Sequence, residues 1–275
     1  MRVAVVTEVF FGVDGAERLD RCLGDARNDG AELVVLPELP LNGWAPHSKT
    51  PRDEDAEPPD GPRQRVMADA ARRAGVALVG GAIVRDPRTG ARHNTALVYH
   101  PDGACVARYR KVHLPEEEGY WETSHYERGD EAPPVVDGLP LRVGLQICSD
   151  VNRPHGFQLL AARHAEVVCA PRATPPETYD RWRLVLRANA ITSGCWVVSA
   201  NRPRPEHGAS IGGPSVVISP SGDVIAETTD PLHTVTLDRS SVISARAEYP
   251  GYLGRFPDLY ARSWSAVADD AQERV

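Results

Sequence analysis

The sequence lacks the features that mark disulfide-rich, zinc-binding and membrane proteins. No CxxC pair occurs, and the cysteines are odd in number and widely spaced: Cys22, Cys105, Cys148, Cys169 and Cys195. Neither a disulfide framework nor a zinc knuckle is predicted, and we expect a reducing, cytoplasmic compartment. The N-terminal run MRVAVVTEVF is broken by Thr7 and Glu8, so it is too short for a signal peptide or a membrane span. It is typical of the first β-strand of a soluble protein.

The sequence also lacks clusters of basic residues. Lys and Arg number 31 and Asp and Glu number 38, which gives a formal net charge of -7, and the basic residues are scattered. Nucleic acid and membrane are therefore not expected as partners. No Ser-rich, Gly-rich or charged linker divides the chain. A single domain over residues 1–275 is therefore favoured.

Val-rich apolar runs alternate with amphipathic stretches. VAVVTEV, ELVVLPE and VALVGGAIV predict strands, and AERLDRCLGDARNDGA and PRQRVMADAARRAG predict the helices between them. Turns at Asp102-Gly103 and Ser221-Gly222-Asp223 predict two hairpins. This layout recurs in both halves and favours an α/β sandwich of two mixed sheets with helices on the outer faces. After Asp230 we expect a strand, a short helical segment and a Pro-, Gly- and Tyr-rich tail.

Three residues with catalytic chemistry stand where predicted strands end. They are Cys148 in LRVGLQICSD, Glu38 in VVLPELPLNGW and Lys111 in CVARYRKVHLP. A thiol needs a base or a positive field to react at neutral pH. A desolvated carboxylate suits a general base, and a partly buried ammonium can stabilise an oxyanion. Each residue alone could be a core thiol or a solvated charge, but the three together predict a catalytic site.

The motifs around these residues resemble those of the nitrilase superfamily of carbon-nitrogen hydrolases. The matching segments are LPELPLNGW, YRKVHLP and VGLQICSD, and further similar stretches extend the resemblance from residue 1 to about residue 260. The resemblance implies a four-layer α-β-β-α sandwich. It also implies Glu38 as general base, Lys111 as support for the tetrahedral intermediate and Cys148 as acylated nucleophile. The backbone N–H of Ser149 is then expected as a second oxyanion donor.

The loop after the lysine resembles that of the N-carbamoylputrescine amidase branch. Its sequence is HLPEEEGYWETSHYERGD, and the match implies a second catalytic glutamate at Glu122 rather than at Glu116, Glu117 or Glu118. We expect Glu122 to position Lys111 or to hold the substrate nitrogen.

The segments that should shape the substrate pocket depart from the family pattern. The chain reads CSDVNRPHG after the nucleophile, with Arg153 and His155 at positions that are usually aromatic and acidic, and RANAITSG replaces RA.EN. Arg153 and Arg172, expected at the pocket mouth, could bind a substrate carboxylate or form surface salt bridges. Loop aromatics could form a pocket wall, or pack at a subunit interface. The substrate-binding candidates are Ser149, Trp44, Tyr120, Trp121, Asn152, Arg153 and Arg172.

The resemblance implies hydrolysis of a linear, non-peptide C–N bond through a cysteine thioester, with no metal or organic cofactor. CSD is more similar to the C.D of amidases and carbamoylases than to the CWE of nitrilases, so an amide or N-carbamoyl substrate is expected. Nitrile hydrolysis by the same residues is one alternative, and a catalytically silent binding protein is another. A cysteine redox or peptidase module is disfavoured, because no resolving CxxC or partner histidine motif is present. The family also implies a homodimer or larger assembly, with the tail at about 250–275 packing at the interface.

Overall fold

The computed structural model describes residues 1–272, with side chains through residue 268. Most strands in this part of the chain form two large mixed sheets. The first sheet contains β1 (Arg2–Val6), β2 (Leu33–Val35), β3 (Ala56–Glu57), β4 (Ala77–Arg85), β5 (Arg92–Tyr99), β6 (Cys105–Arg110) and β15 (Leu232–Thr236). The second contains β9 (Val135–Val136), β10 (Val143–Leu145), β11 (Val167–Cys169), β12 (Trp196–Ser199), β13 (Ser215–Ile218) and β14 (Val224–Thr228). A short hairpin of β7 (Glu116–Glu117) and β8 (Tyr120–Trp121) stands apart.

The two sheets share one design. In the first, β1, β2 and β4 are parallel and β4, β5 and β6 are antiparallel. In the second, β10, β11 and β12 are parallel and β12, β13 and β14 are antiparallel. Both predicted hairpins are present, and Gly103 and Gly222 adopt φ of 88° in their turns, a conformation that glycine reaches without steric cost. The expected mixed sheets are therefore confirmed.

Helices α1 (Gly15–Asn28) and α2 (Pro62–Ala74) cover the outer face of the first sheet, and α3 (His155–Ala162) and α4 (Tyr179–Ser193) cover that of the second. Two further helices follow near the C-terminus, α5 (Arg239–Ala247) and α6 (Pro257–Gln272), and the side chains of residues 257–268 are exposed. Alternate strand residues point to different layers: Val3 and Val5 of β1 face the second sheet, whereas Ala4 and Val6 pack with α1 and α2. Residues of α3 and α4 cover the second sheet in the same way. This confirms the four-layer α-β-β-α sandwich. None of these helices is long and apolar enough to cross a bilayer.

The C-terminal segment, predicted as a Pro-, Gly- and Tyr-rich tail, contains a long helix. Residues 257–272 form α6, which begins at Pro257 and carries Asp258 in its first turn, both favourable at a helix start. The Pro- and Gly-rich stretch before this helix made it difficult to predict from the sequence. The last part of the predicted tail, residues 273–275, lies outside the described residues.

Candidate active site

Glu38, Lys111 and Cys148 follow the ends of β2, β6 and β10, and the sandwich brings these strand ends together. Lys111 Nζ donates to Glu38 Oε1 at 2.9 Å and to Glu122 Oε1 at 2.6 Å. Lys111 and Glu122 are fully buried, and Glu38 and Cys148 nearly so. The four residues proposed from the sequence as catalytic therefore form one buried cluster.

The Lys111 ammonium is held between two carboxylates. Burial by itself lowers the pKa of Lys111, but the charges of Glu122 and Glu38 outweigh that effect and raise the pKa well above its ordinary value. Lys111 therefore stays protonated throughout the neutral and mildly alkaline range. A fixed positive charge in a water-poor site can stabilise a developing oxyanion strongly.

Glu122 is the glutamate of its loop that reaches the lysine. Glu116 and Glu117 lie in the exposed strand β7, and Glu116 accepts hydrogen bonds from hydroxyls of the same loop. Burial raises the pKa of the Glu122 carboxyl, and the Lys111 charge opposes that shift. The Lys111 charge therefore favours the ionised form of Glu122.

Cys148 occupies a strained turn between β10 and α3. Its φ is 44°, a left-handed conformation that costs a non-glycine residue about 1–3 kcal/mol and is often found at functional sites. The Cys148 N–H donates to Pro171 O at 2.9 Å, and its Sγ lies 3.8 Å from Ala173 O. Burial, followed by the charge of Glu38, raises the pKa of the Cys148 thiol well above its ordinary value. The resting thiol is therefore neutral and requires a base in order to attack.

Glu38 has one oxygen paired and one available. Its Oε1 accepts hydrogen bonds from Lys111 and, at 2.7 Å, from Asn94 Nδ2. Among residues 1–268, Glu38 Oε2, Glu122 Oε2 and the Tyr126 hydroxyl are buried without a hydrogen-bond partner. Buried polar groups usually have partners, so this set needs polar atoms from a ligand or water. Asn94 and Tyr126 were missed from the sequence, although HNTALVYHPDG and the lysine loop resemble the family.

Asp150 links the nucleophile turn to the lysine loop. Its Oδ1 accepts hydrogen bonds from the His113 N–H at 2.9 Å and from His113 Nδ1 at 2.8 Å, and its Oδ2 accepts from the Tyr109 hydroxyl at 3.0 Å. The next residue, Val151, has its carbonyl fixed by Asn189 Nδ2 of α4 at 2.8 Å. These bonds fix the turn that carries Cys148 relative to the loop that follows Lys111. The sequence signal for Asp150 is the C.D motif, in which Asp150 is the acidic residue after Cys148.

The predicted aromatic residues form one side of the site. Trp44 is fully buried, and its indole N–H donates to Gly119 O at 2.8 Å. The Tyr120 ring packs edge-on against Trp44 with centroids 5.7 Å apart, and its hydroxyl donates to Ser210 O. Trp121 is half-buried, and Lys49 Nζ lies 4.1 Å from its ring centroid. Trp44 and Tyr120 are a packed wall, whereas Trp121 lies near the surface.

The predicted residues after the nucleophile are more accessible. Ser149 is half-buried, and its hydroxyl donates to His113 O. Asn152 and Arg153 are exposed. His155 is also exposed, and its ring lies 5.3 Å from that of Trp264 of α6.

Arg172 requires a correction, because it was expected at the pocket mouth. It is almost completely buried, and its guanidinium donates to Ser199 Oγ at 3.0 Å, to Thr174 Oγ1 and to Pro214 O. Arg172 can be buried because these three oxygen atoms accept the hydrogen bonds of its guanidinium. Arg172 thus links segments of the second sheet near the site.

Comparisons with known proteins agree with this geometry. The family model described as carbon-nitrogen hydrolase matches residues 14–247. The chain belongs to this family. It is 28% identical over 257 residues to the human omega-amidase NIT2, covering 90% of this chain and 91% of the relative. It is 32% identical over 267 residues to hydrolase Rv0480c of Mycobacterium tuberculosis, with coverages of 90% and 92%.

Solved structures show the same fold. A nitrilase-superfamily amidase of Nesterenkonia AN1 superposes with a TM-score of 0.78 at 26% identity, covering 96% of this chain and 97% of that chain. One variant of that amidase is in complex with butyramide. Another carries the acetamide moiety of fluoroacetamide on its active-site cysteine. This carbon-nitrogen hydrolase is an enzyme, and its candidate active site is the Glu38, Lys111, Glu122 and Cys148 cluster.

Proposed function

We propose that this enzyme hydrolyses a small, linear amide or N-carbamoyl compound through a thioester on Cys148. The observation that carries the proposal is the buried Lys111 ammonium between Glu38 and Glu122, beside a neutral thiol. Each carboxylate keeps one oxygen that no group among residues 1–268 contacts by a hydrogen bond. The site thus combines a nucleophile, a base, a cation and spare acceptors.

The spare acceptors favour an amide over a nitrile. An amide or carbamoyl NH2 group carries two N–H donors, which match the free oxygens of Glu38 and Glu122. A nitrile carries no donor and would leave these buried oxygens unsatisfied, at a cost of about 1–3 kcal/mol for each group. The names of the relatives, an omega-amidase and an amidase, point in the same direction.

The first half of the proposed reaction forms the thioester. Glu38 removes the proton of the Cys148 thiol, and the sulfur forms a bond to the carbonyl carbon while the C=O electron pair moves to oxygen. Lys111 and the Ser149 N–H stabilise this oxyanion, and the N–H groups at the start of a helical turn lack partners within the turn. When the oxyanion collapses, the C–N bond breaks and the nitrogen leaves with the proton held by Glu38. Glu122 accepts a hydrogen bond from the departing nitrogen.

The second half releases the acid product. Glu38 takes a proton from water as the water oxygen attacks the thioester carbon, and Lys111 again stabilises the oxyanion. The C–S bond then breaks, and the proton returns to sulfur. The thiol with its raised pKa is regenerated in the neutral form, ready for another cycle.

Ammonia release from a substrate panel tests this function. The panel contains aliphatic amides, N-carbamoyl amines, N-carbamoyl amino acids and nitriles, with intact mass recorded for the wild type and Cys148→Ala. We expect release from the amide or carbamoyl members, with a mass adduct on the wild type alone. Carboxylate production from nitriles but not from amides would instead identify a nitrilase. A folded protein without release or adduct would favour the silent binding scaffold.

We also propose that residues 1–275 form one catalytic domain whose C-terminal segment packs against a second copy of the chain. Large apolar side chains are exposed in this segment, with Tyr252, Phe256 and Tyr260 each more than 60% accessible. Concentrations of exposed apolar side chains are typical of interaction sites. The free cysteines support a reducing cytoplasmic location.

The assembly is tested by light scattering of the purified protein at micromolar concentration. We expect a mass of at least twice 29.9 kDa for the wild type and a smaller mass for Trp264→Glu. Val13→Glu, at an exposed position before α1, serves as a control and should not change the mass. A monomeric wild type would contradict the proposal.

A further inference from the structure

A buried ion pair from the second sheet reaches the loop that carries Glu38. Arg202 follows β12 and has no exposed surface. Its Nη1 donates to the backbone oxygens of Glu38 and Leu39, both at 2.8 Å, and its Nη2 donates to Asn42 O at 2.9 Å. One guanidinium therefore satisfies three carbonyls of the loop at 38–44.

Glu206 completes this contact from the other side. Its Oε1 accepts hydrogen bonds from Arg202 Nε at 2.9 Å and Nη2 at 2.6 Å, and its Oε2 accepts from Nη2 at 2.8 Å. Glu206 Oε2 also accepts the backbone N–H of Trp44 at 2.9 Å. The Arg202–Glu206 pair thus contacts the loop near both ends while adding no net charge beside Glu38.

The backbone of the loop at 38–44 requires these hydrogen bonds for two reasons. Leu39 adopts φ of 49°, a strained conformation for a bulky residue that persists only where its surroundings enforce it. Buried carbonyls outside a sheet also need donors from elsewhere. A buried ion pair adds little net stability compared with apolar packing of similar volume. Its bonds here fix the position of the main chain at Glu38.

The same pair influences the second carboxylate. Trp44, held by Glu206, donates its indole N–H to Gly119 O, and its ring packs against Tyr120. Tyr120 lies two residues before Glu122. The pair therefore connects, through Trp44, the two segments whose carboxylates flank Lys111.

We infer that Arg202 and Glu206 are positioning residues that hold Glu38 within reach of the Cys148 thiol and of Lys111. The inference rests on the proposed function, in which Glu38 is the base. Neither residue touches substrate in this view, since both act through the backbone of the loop. A displacement of about 1 Å at a reacting group can reduce a rate by about 10²-fold.

Glu206→Gln tests the inference because it keeps the side-chain shape and removes the charge that holds Arg202. We expect kcat to fall by about 10²-fold while KM changes little, because the substrate-contacting atoms remain. Alkylation of Cys148 by iodoacetamide should slow in parallel. The matched control is Glu166→Gln. Glu166 also accepts hydrogen bonds from an arginine, Arg239, and from a backbone N–H. It lies just before β11, however, whereas the catalytic residues follow the C-terminal ends of their strands. It should lose stability without losing kcat.

A double-variant comparison separates positioning from general loss of structure. If Glu206 acts through Glu38, then Glu38→Gln with Glu206→Gln should be no slower than Glu38→Gln alone. A folded Glu206→Gln with wild-type kcat, or additive losses in the double variant, would overturn the inference. Full activity of Glu38→Gln would instead overturn the proposed function, so the two failures can be distinguished.

Discussion

Cys148→Ala is expected to reduce ammonia release by about 10⁴-fold or more, because removing a catalytic nucleophile typically eliminates most of the rate enhancement. The thiol is small and buried, so the alanine variant should fold normally and still bind the substrate. No acyl adduct should appear in its intact mass after mixing with a substrate amide. The measurement is the initial rate of ammonia release together with mass spectrometry of the quenched enzyme.

Cys22→Ala provides the matched control for this experiment. Cys22 lies in α1 and is half-buried, and burial raises the pKa of its thiol to about 12. Its helix packs on the outer face of the first sheet, away from the cluster around Lys111. We expect near wild-type activity and the wild-type adduct. Full activity of Cys148→Ala would exclude the thioester mechanism.

Lys111→Met is expected to impair both activity and stability. Loss of the oxyanion-stabilising charge should reduce kcat by about 10²–10³-fold. Glu38 and Glu122 would be left buried without their cation, and breaking a buried ion pair in this way typically costs about 3–5 kcal/mol of unfolding free energy. Both effects can be measured on one protein preparation, by steady-state kinetics and by urea denaturation.

The stability loss in Lys111→Met should depend on pH in a defined direction. Burial already raises the pKa of Glu122 in the wild type, and removing Lys111 raises it further. A carboxyl whose pKa is higher in the folded than in the unfolded state destabilises the fold as pH rises from the unfolded value towards the folded one. The loss should therefore be small near pH 4 and largest in the alkaline range. A loss independent of pH would contradict the buried carboxylate pair.

A second substitution distinguishes charge from packing in this variant. Lys111→Met combined with Glu122→Gln removes one uncompensated carboxylate and should recover part of the lost stability at pH 8. It should not recover kcat, since the cation remains absent. If stability does not recover, lost packing of the lysine stem is the main cause instead.

Two different sets of hydrogen bonds support the catalytic cluster. Asp150 ties the nucleophile turn to the lysine loop, and the Arg202–Glu206 pair ties the base loop to the second sheet. Asp150, Arg202 and Glu206 are buried, and their hydrogen bonds reach segments far from them in the sequence. Rigid supports of this kind allow reacting groups to be held in place before substrate arrives.

The sequence by itself predicted much of the fold because the relevant signals are local. Strand periodicity and the glycines at Gly103 and Gly222 specify hairpins within a few residues. The two-sheet design follows from repeating that layout. Glu38, Lys111 and Cys148 could be identified because each lies within three residues of the end of a strand, and strand ends are places where a side chain can enter a site.

Tertiary structure alone determined the contacts that make this cluster a site. Arg172 was expected at the pocket mouth, but its burial depends on acceptors in Ser199 and Pro214, which sequence spacing does not reveal. The contact of Arg202 with Glu38 O joins residues 164 positions apart, and no local pattern encodes such a distance. Hydrogen bonding and desolvation depend on which atoms meet in space. The pKa shifts of Lys111 and Cys148, and hence the predicted reactivity, therefore arise only after the two sheets have packed.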